Sequence, residues 1–203
     1  MPNAPRQLDE RIRRELDKID IREVLVRWNL GLDRGDAEML ASTYLPDVVD
    51  GHGKFSYTNA AAAAADYVAR HLRAARRHMH TTVQDNIRLD GDEAYCESYA
   101  IAYVVAERVA FLDVRPPDES MDELLITVGI RYLDHFVRWH GEWRISEREA
   151  ITEWRSASDS VPLGFEVPGN NIGFYRLDYR GKRSKDDPSY DMATALRRTG
   201  ADR

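Results

Sequence analysis

The feature that most constrains the fold of this chain is a change in the period of its apolar residues. Within residues 8–33 they recur at the helical positions i, i+4, i+7 and i+11, which are Ile21, Leu25, Trp28 and Leu32. From Thr81 onwards apolar and polar residues alternate with a period of two, as in half-buried strands. Helices followed by long antiparallel strands predict an α+β domain, with the helices packed on one face of a curled sheet.

Three helices are predicted before the long strands. The first covers residues 8–33 and ends at "RGD", and the second, "AEMLASTYL", covers residues 37–45 and is stopped by Pro46. The third is capped by the Thr-Asn pair of residues 58–59 and runs to about residue 76, because its alanine-rich stretch favours a helix. Between the second and third helices, "VVDGHGKFSY" is typical of a strand interrupted by glycines.

Two long hairpins are predicted in the second half of the chain. "TTVQDNIRL" and "EAYCESYAIAYVVAERVAF" flank a tight Asp-Gly turn, and "ELLITVGIRYLDHFVRW" and "EWRISEREAITEW" flank "HG". Beyond about Ser158 the sequence is rich in Gly, Pro and Asn and has no period. We therefore predict a domain of residues 8–156 and an irregular C-terminal extension of residues 157–203. The extension has three open interpretations: a lid, an arm around a neighbouring subunit, or a partly disordered segment.

Composition and charge exclude several classes of protein. With 203 residues, 43% hydrophobic and 32% charged, the chain suits one globular domain, and no apolar run approaches the roughly 20 residues that span a bilayer. The net charge of -6 disfavours nucleic acid as a partner. The basic run of residues 180–185 borders Asp186 and Asp187, so we expect a solvated loop there. The start of the sequence is unlike a signal peptide and Cys96 is the sole cysteine, which together predict a cytoplasmic location.

Three stretches of the sequence resemble the SnoaL-like branch of the nuclear transport factor 2-like superfamily. They are "IREVLVRWNLGLDRGDAEMLASTYLPDVV", "HTTVQ" leading into "DGDEAYCESY", and "GIRYLDHFVRWHGEWRISER". The resemblance implies a cone-shaped α+β barrel, in which a strongly bent antiparallel sheet wraps around a long N-terminal helix and encloses a pocket. Such proteins include dehydratases, a dehydrochlorinase, polyketide cyclases, formaldehyde-releasing lyases and non-catalytic dioxygenase subunits. The fold therefore leaves the function open.

The resemblance also implies a catalytic pair, His80 and Asp33. In the dehydratase and dehydrochlorinase branch an Asp lies twelve residues after the apolar residue that opens the pocket-facing stripe, and Ile21 to Asp33 repeats that spacing. The partner begins a strand as His-x3-Asn, and His80 holds that place with Gln84 where Asn is usual. A neutral imidazole can take up a proton near neutral pH, and a carboxylate on its other nitrogen fixes the tautomer.

Further candidates for substrate binding come from the same helix and from the strands. Asn29 lies one turn before Asp33 and would line the same wall, and Trp28 of the helical stripe is a further candidate. Gln84 shares a strand face with His80 in this interpretation. Asp50 lies where a first strand would enter the pocket. Together with His52 it either helps proton transfer or lies in a glycine-rich turn.

The long strands add an aromatic and a basic candidate. Tyr99, between Tyr95 and Tyr103 in a series spaced by four, is the candidate phenol that points into the cavity. Arg131 and Tyr132 fall on opposite faces of their strand, so at most one lines the pocket, and Arg131 is the candidate.

The remaining histidine of the "HMH" stretch is expected to do little. In this interpretation His78 points to the face opposite His80 and is exposed to solvent. The two residues then cannot share a metal, and the sequence contains no Cys/His cluster. No metal and no cofactor are therefore predicted, which leaves proton chemistry by side chains.

The leading hypothesis is a cofactor-independent lyase of aromatic compound catabolism. It would remove water or hydrogen halide from an apolar cyclic or aromatic small molecule, or release an aldehyde from it, with His80 moving the proton and Asp33 orienting His80. An isomerase or polyketide cyclase of the same fold is the alternative, and a non-catalytic small subunit or ligand-binding module is a second one. A homotrimer or homodimer is expected, because sheets of this fold usually pack outer face against outer face.

Overall fold

The computed structural model describes residues 4–53, 55–107, 123–159, 182–187 and 189–190. Its helices and strands are, in chain order, α1 Ala4–Asp33, α2 Ala37–Ala41, β1 Tyr44–His52, β2 Phe55–Tyr57, α3 Ala60–Ala74, β3 Ala75–Asp90, β4 Glu93–Glu107, β5 Glu123–Trp139 and β6 Glu142–Asp159. Among these helices, none is long and apolar enough to cross a membrane. The cytoplasmic location stays a prediction.

One sheet contains all six strands in the order β2-β1-β6-β5-β4-β3. The two hairpins β3–β4 and β5–β6 are antiparallel. Strands β4 and β5 also pair in antiparallel, which joins the two hairpins. Strand β1 pairs in parallel with β6, so the first strand of the chain lies beside the last one. The sheet is curled and unclosed, and α1 packs against its inner face. The predicted α+β cone is confirmed.

The core lies between α1 and the inner face of the sheet. The four apolar residues predicted from the helical period of α1 are at most 4% exposed. Burying a large apolar side chain contributes roughly 1.5–3 kcal/mol, so this stripe fixes α1 in the cone. Facing it, the inward positions of β4 carry small side chains, namely Ala94, Cys96, Ser98, Ala100 and Ala102. Small residues there leave space for the rings of α1 and β5.

Two predicted boundaries are wrong. The second helix ends at Ala41 instead of continuing to Leu45, and Pro46 lies within β1. Pro46 is tolerated there because the pairing of β1 with β6 is irregular between Tyr44 and Val49, and a bulge needs no ladder hydrogen bond from proline. Strand β3 begins at Ala75 instead of Thr81, which places the "HMH" stretch inside the sheet.

The predicted division of the chain at residue 156 stays a prediction. Strand β6 continues to Asp159. Residues 160–181, 188 and 191–203 of the predicted C-terminal extension lie outside the described residues, as does the end of the strand predicted to reach Phe111.

Candidate active site

A carboxylate at the end of α1 stands at the centre of the candidate site. Asp33 Oδ1 accepts a hydrogen bond from Nδ1 of His80 at 2.6 Å and another from Nδ1 of His78 at 2.9 Å. Its Oδ2 accepts from the backbone N–H of His80 at 2.9 Å. The contact between Asp33 and His80 that the resemblance implied is therefore present, while its role in catalysis stays a prediction.

The cluster is buried and its carboxylate is ionised. The side chains of His78 and His80 are 0% and 5% exposed, and that of Asp33 is 14% exposed. Burial raises the pKa of Asp33, but the hydrogen bonds from the two imidazoles outweigh it and lower that pKa to about 2. Because an ionised carboxylate can only accept, each ring donates its Nδ1 proton, and the neutral form of each ring then has its lone pair on Nε2. Burial lowers the pKa of His78, which keeps that ring neutral.

The prediction that His78 is exposed and points away from His80 is wrong. Residues two apart on a regular strand share a face, so both rings point inward, opposite Val104 and Ala102 of β4. The expected separation of His78 and His80 disregarded this two-residue period. The conclusion that His78 and His80 cannot share a metal site is therefore wrong as well.

Asp33, His78 and His80 are accordingly a possible set of metal ligands, with one ligand atom of each within 4.8 Å of the others. Two histidines and a carboxylate are a known donor set for transition metals. Ligand atoms around a metal at bonds of about 2.1 Å are separated by roughly 3–3.4 Å. The two imidazole nitrogens lie 2.6 and 2.9 Å from the carboxylate oxygen, which is the spacing of hydrogen bonds. We therefore describe the group as a hydrogen-bonded cluster.

The wall of α1 beside the cluster carries Trp28 and Asn29, as predicted. The indole of Trp28 is 2% exposed, donates to the Tyr44 hydroxyl at 2.6 Å and meets the His80 ring edge-on at 6.4 Å between centroids. Asn29 donates from Nδ2 to the hydroxyl of Thr82 at 3.1 Å. These contacts fix both side chains next to His80, and a role in substrate binding stays a prediction.

Gln84 does not lie on the face of His80, contrary to the prediction. On β3, Thr82 lies opposite Ala100 of β4 and Gln84 lies opposite Tyr99, so Val83 is the extra residue of a β-bulge. The bulge turns Gln84 to the outer face of the sheet, where it is exposed. No residue type in "TTVQDN" marks this bulge.

Tyr99 and Arg131 lie on the outer face as well, so the prediction that they line the pocket is wrong. They face each other across β4 and β5, and Arg131 is bound by Glu153 at 2.6 Å and by Glu97 at 3.2 Å. The inward residue is Tyr132, which is 3% exposed and meets Trp28 at 5.6 Å between ring centroids. The prediction that Arg131 and Tyr132 lie on opposite faces is correct, but the choice of Arg131 as the residue that lines the pocket is wrong.

Asp50 and His52 form a second pair, in which the carboxylate is buried and the imidazole is half-buried. Asp50 is fully buried and accepts hydrogen bonds from Nδ1 of His52 at 2.6 Å, from the Tyr67 hydroxyl at 2.6 Å, and from the Tyr44 hydroxyl. The His52 ring is stacked on Trp28 at 6.0 Å between centroids, and the His80 ring is nearly perpendicular to the indole at 6.4 Å. Of the two interpretations left open by the sequence, the glycine-rich turn is excluded and a part in proton transfer stays a prediction.

A buried ion pair was not predicted from the sequence. Arg148 of β6 donates from Nε and Nη2 to the carboxylate of Asp134 at 2.6 and 2.8 Å, and both side chains are at most 1% exposed. Its guanidinium lies 4.5 Å from the Trp28 ring centroid and 4.4 Å from that of Tyr132. The period of two could have placed Asp134 inward with Tyr132 and Phe136. A bulge between His135 and Phe136 hid its pairing with Arg148.

With this geometry established, the comparisons with known proteins identify the family. The model of the SnoaL-like domain matches residues 13–149. The chain belongs to the SnoaL-like family. No curated protein matches this SnoaL-like chain at a significant level.

Solved structures show the same fold at low sequence identity. A hexachlorocyclohexane dehydrochlorinase matches with a TM-score of 0.60 and 15% identity over 77% of this SnoaL-like chain and 97% of its own. A putative scytalone dehydratase from Novosphingobium aromaticivorans matches with a TM-score of 0.56 and 17% identity over 74% and 95%. A protein of unknown function from Mycobacterium tuberculosis matches with a TM-score of 0.57 and 19% identity over 79% and 84%. At these identities the likeness shows the fold alone.

In the described part of the basic run after the SnoaL-like domain, Lys182 and Lys185 are exposed, as predicted for a solvated loop, but the run is also bound to the rest of the protein. Lys185 and Tyr190 bind the carboxylate of Asp36, and Arg183 is half-buried, with Nη1 donating to the carbonyl oxygen of Ala75. Residues 182–187 and 189–190, which we call the C-terminal segment, thus lie against the junction of α1 and α2.

His71 makes the stability of this SnoaL-like fold sensitive to acid. Burial lowers the pKa of His71 to about 3, while its Nδ1 donates to the Tyr67 carbonyl oxygen at 2.9 Å. The unfolded chain binds a proton below a pKa of about 6.5 and the folded chain does not, so stability is present above that pKa and is lost as the pH falls towards 3.

Between about pH 7.5 and about pH 5 this linkage amounts to about 2 kcal/mol. When the pH falls over this range, the free energy of unfolding of His71→Phe should drop by about 2 kcal/mol less than that of the unaltered protein. Urea unfolding at the two pH values measures this difference. His140→Asn, at an exposed turn residue, is the control and should leave the difference unchanged. An unchanged difference in His71→Phe would contradict the burial of a neutral His71.

Proposed function

We propose that this SnoaL-like protein is a cofactor-independent lyase that acts on an apolar cyclic or aromatic small molecule by His-Asp proton transfer. The observation that supports it best is the 2.6 Å contact between Asp33 Oδ1 and His80 Nδ1, made by an ionised carboxylate and a ring that is 5% exposed. That contact leaves Nε2 of His80 as the ring atom that exchanges a proton with the substrate. It also stabilises the imidazolium that forms when the proton arrives.

The proposed reaction is an elimination. His80 Nε2 takes a proton from a carbon next to the one that carries the leaving group, the C–H electron pair forms the new double bond, and the leaving group departs with its bonding pair. If the leaving group is a hydroxyl, the proton on His80 passes to its oxygen and water is released. If it is a halide, the proton passes to solvent. In both cases His80 returns to the neutral form that Asp33 orients.

Aromatic rings around the cluster support an apolar cyclic substrate. Trp28 makes ring contacts with Tyr132 at 5.6 Å and with Tyr67 at 6.5 Å, and the rings of His52 and His80 lie at 6.0 and 6.4 Å. Flat side chains of this kind bind flat apolar molecules well, and few charged groups are needed to orient them.

A proton-moving isomerase or polyketide cyclase is the second candidate, and one observation favours it. The Asp50–His52 pair shares Trp28 with His80, because the His52 and His80 rings lie 6.0 and 6.4 Å from the indole between centroids. An isomerisation removes a proton at one carbon and returns one at another, which two separate His-Asp pairs could divide between them.

Incubation of the protein with a panel of cyclic and aromatic alcohols, halides and ketones tests the proposal. We expect the unaltered protein, treated with a chelator, to convert at least one alcohol or halide into the product that has lost water or hydrogen halide, as seen by mass spectrometry. A product of unchanged mass with a shifted double bond would favour the isomerase. Equal conversion by His80→Gln, or turnover that needs an added metal, would contradict the proposed mechanism.

We also propose that the protein forms a homodimer or homotrimer through the outer face of its sheet. Exposed apolar residues on that face are Met79, Val83, Tyr95, Tyr103 and Trp154, each at least 36% exposed. Patches of this kind mark interaction surfaces. Light scattering at micromolar concentration should show a dimer or trimer, and a monomer would contradict this assembly.

A further inference from the structure

The C-terminal segment is anchored next to the candidate active site. The Tyr190 hydroxyl donates to Asp36 Oδ2 at 2.6 Å, and Lys185 forms an ion pair with the same oxygen. Asp36 is three residues after Asp33 and also caps α2 through the backbone N–H of Met39 at 3.0 Å. The anchor of the segment thus lies in the turn between α1 and α2, three residues beyond the carboxylate of the cluster.

The segment also has hydrogen bonds of its own. Asp187 is 9% exposed and accepts from the backbone N–H groups of Lys182 at 2.7 Å and Ser189 at 3.0 Å. Gly35 lets it approach closely, because a Cβ on Gly35 would meet the Arg183 carbonyl oxygen at 3.3 Å and Gly35 has a φ of +66°. These contacts place Arg183 in a defined position.

Arg183 points its unused donors into the protein. Its Nη1 donates to the carbonyl oxygen of Ala75 at the start of β3, while Nε and Nη2 are buried and have no hydrogen-bond partner in the part of the chain that the structure describes. Buried polar groups are nearly always paired, and a charged group loses most when it is not. Two unpartnered N–H groups on one buried edge of a guanidinium therefore indicate a place for a ligand.

The charge of Arg183 acts on the cluster. Burial is the main cause of the lowered pKa of His78 and of His71, and the positive charge of Arg183 lowers both further. Asp33 in turn favours the charged form of Arg183. Among the described residues Asp33 is not its hydrogen-bond partner, and the oxygens of Asp33 accept from His78 and His80 instead.

We propose that the Nε–Nη2 edge of Arg183 binds a carboxylate group of a small molecule beside the Asp33–His78–His80 cluster. This edge carries two parallel N–H groups, which match the two oxygens of a carboxylate. Resting on the proposed function, the inference makes the substrate a cyclic or aromatic carboxylic acid, held by Arg183 while His80 moves the proton. The C-terminal segment supplies a residue that the SnoaL-like domain at residues 13–149 lacks.

Binding of benzoate and of its neutral counterpart benzamide to the full chain tests the proposal by calorimetry. The unaltered protein should prefer benzoate, and Arg183→Gln should weaken benzoate binding at least about tenfold while leaving benzamide unchanged. Arg183→Lys should recover part of the loss, because it keeps the charge but not the paired N–H groups. Arg73→Gln, an exposed arginine on α3, is the control and should bind as the unaltered protein does.

The result separates this inference from the proposed lyase activity, because binding needs no turnover. His80→Ala should keep the preference for benzoate. Equal binding of benzoate and benzamide by the unaltered protein, or benzoate binding by Arg183→Gln at the original affinity, would overturn the carboxylate site whatever the substrate panel shows. A preference that depends on Arg183 in a protein without lyase turnover would support the site and contradict the proposed function.

Discussion

Replacing His80 by alanine is expected to lower turnover by about 10²- to 10⁴-fold, the range of general acid-base catalysis. The substitution removes the ring that accepts the proton, while its backbone N–H can still bind Asp33 Oδ2. Asp33→Asn is expected to give a comparable loss, because an amide can present its NH₂ group to Nδ1 and favour the tautomer whose Nε2 carries the proton.

The two losses should not add, since both residues serve one proton transfer. Steady-state turnover of the two single variants and the double variant on the same substrate measures this. His140→Asn is the matched control, because it removes an exposed histidine outside the cluster. Near-normal turnover in His80→Ala, or losses that multiply fully in the double variant, would rule out a shared step.

His78→Ala was expected from the sequence to do little, and the structure changes that expectation. The substitution removes one of the two imidazole donors to Asp33. The pKa of Asp33 should therefore rise towards its ordinary value, although the carboxyl remains ionised at neutral pH. We expect a smaller loss of turnover than in His80→Ala.

Replacing Arg148 by alanine is expected to lower the free energy of unfolding by about 3–5 kcal/mol. Arg148 and Asp134 are both at most 1% exposed, and the substitution leaves Asp134 buried without its partner. Burial raises the pKa of Asp134 even beside the guanidinium, so its protonation should keep the loss near the lower end of the range. Lost packing of the guanidinium on Trp28 and Tyr132 adds to the effect.

The matched control is the double variant Asp134→Leu with Arg148→Met. Apolar replacements for a buried ion pair are often neutral, so this protein should unfold within about 1–2 kcal/mol of the unaltered one. Urea unfolding with circular dichroism measures both variants. If Arg148→Ala unfolds at the same urea concentration as the unaltered protein, the pair does not lie in the core as described.

The fold was predictable because two periodicities cover most of it. The helical stripe of α1 and the alternation around the turns at Gly91 and Gly141 are local patterns, and both hairpins follow from them. The parallel pairing of β1 with β6 was not predictable, because it is a contact between residues about a hundred positions apart. The end of the second helix was mispredicted for a related reason. The last residues of the predicted helix gain more from pairing with β6 than from their helix propensity.

The candidate site was predictable only in part. Asp33 and His80 came from the family resemblance, whereas the bulge at Val83 turned Gln84 outward without a sequence signal. A bulge depends on how two strands twist together, so a count by twos along one strand cannot reveal it. Arg183 escaped notice because a basic run next to acidic residues is usually solvated. Only the hydrogen bond of Arg183 to Ala75 of β3 and the ion pair of Lys185 with Asp36 show that this run is bound to the domain.

The ¹⁵N resonances of the histidine rings measure most directly whether Asp33 holds His80 in the form that acts as a base. In the neutral His80 ring we expect the proton on Nδ1 and the lone pair on Nε2, and we expect Asp33→Asn to shift the ring towards the opposite tautomer. A His80 ring with its proton on Nε2 in the unaltered protein, or a tautomer that Asp33→Asn leaves unchanged, would contradict the proposed pair.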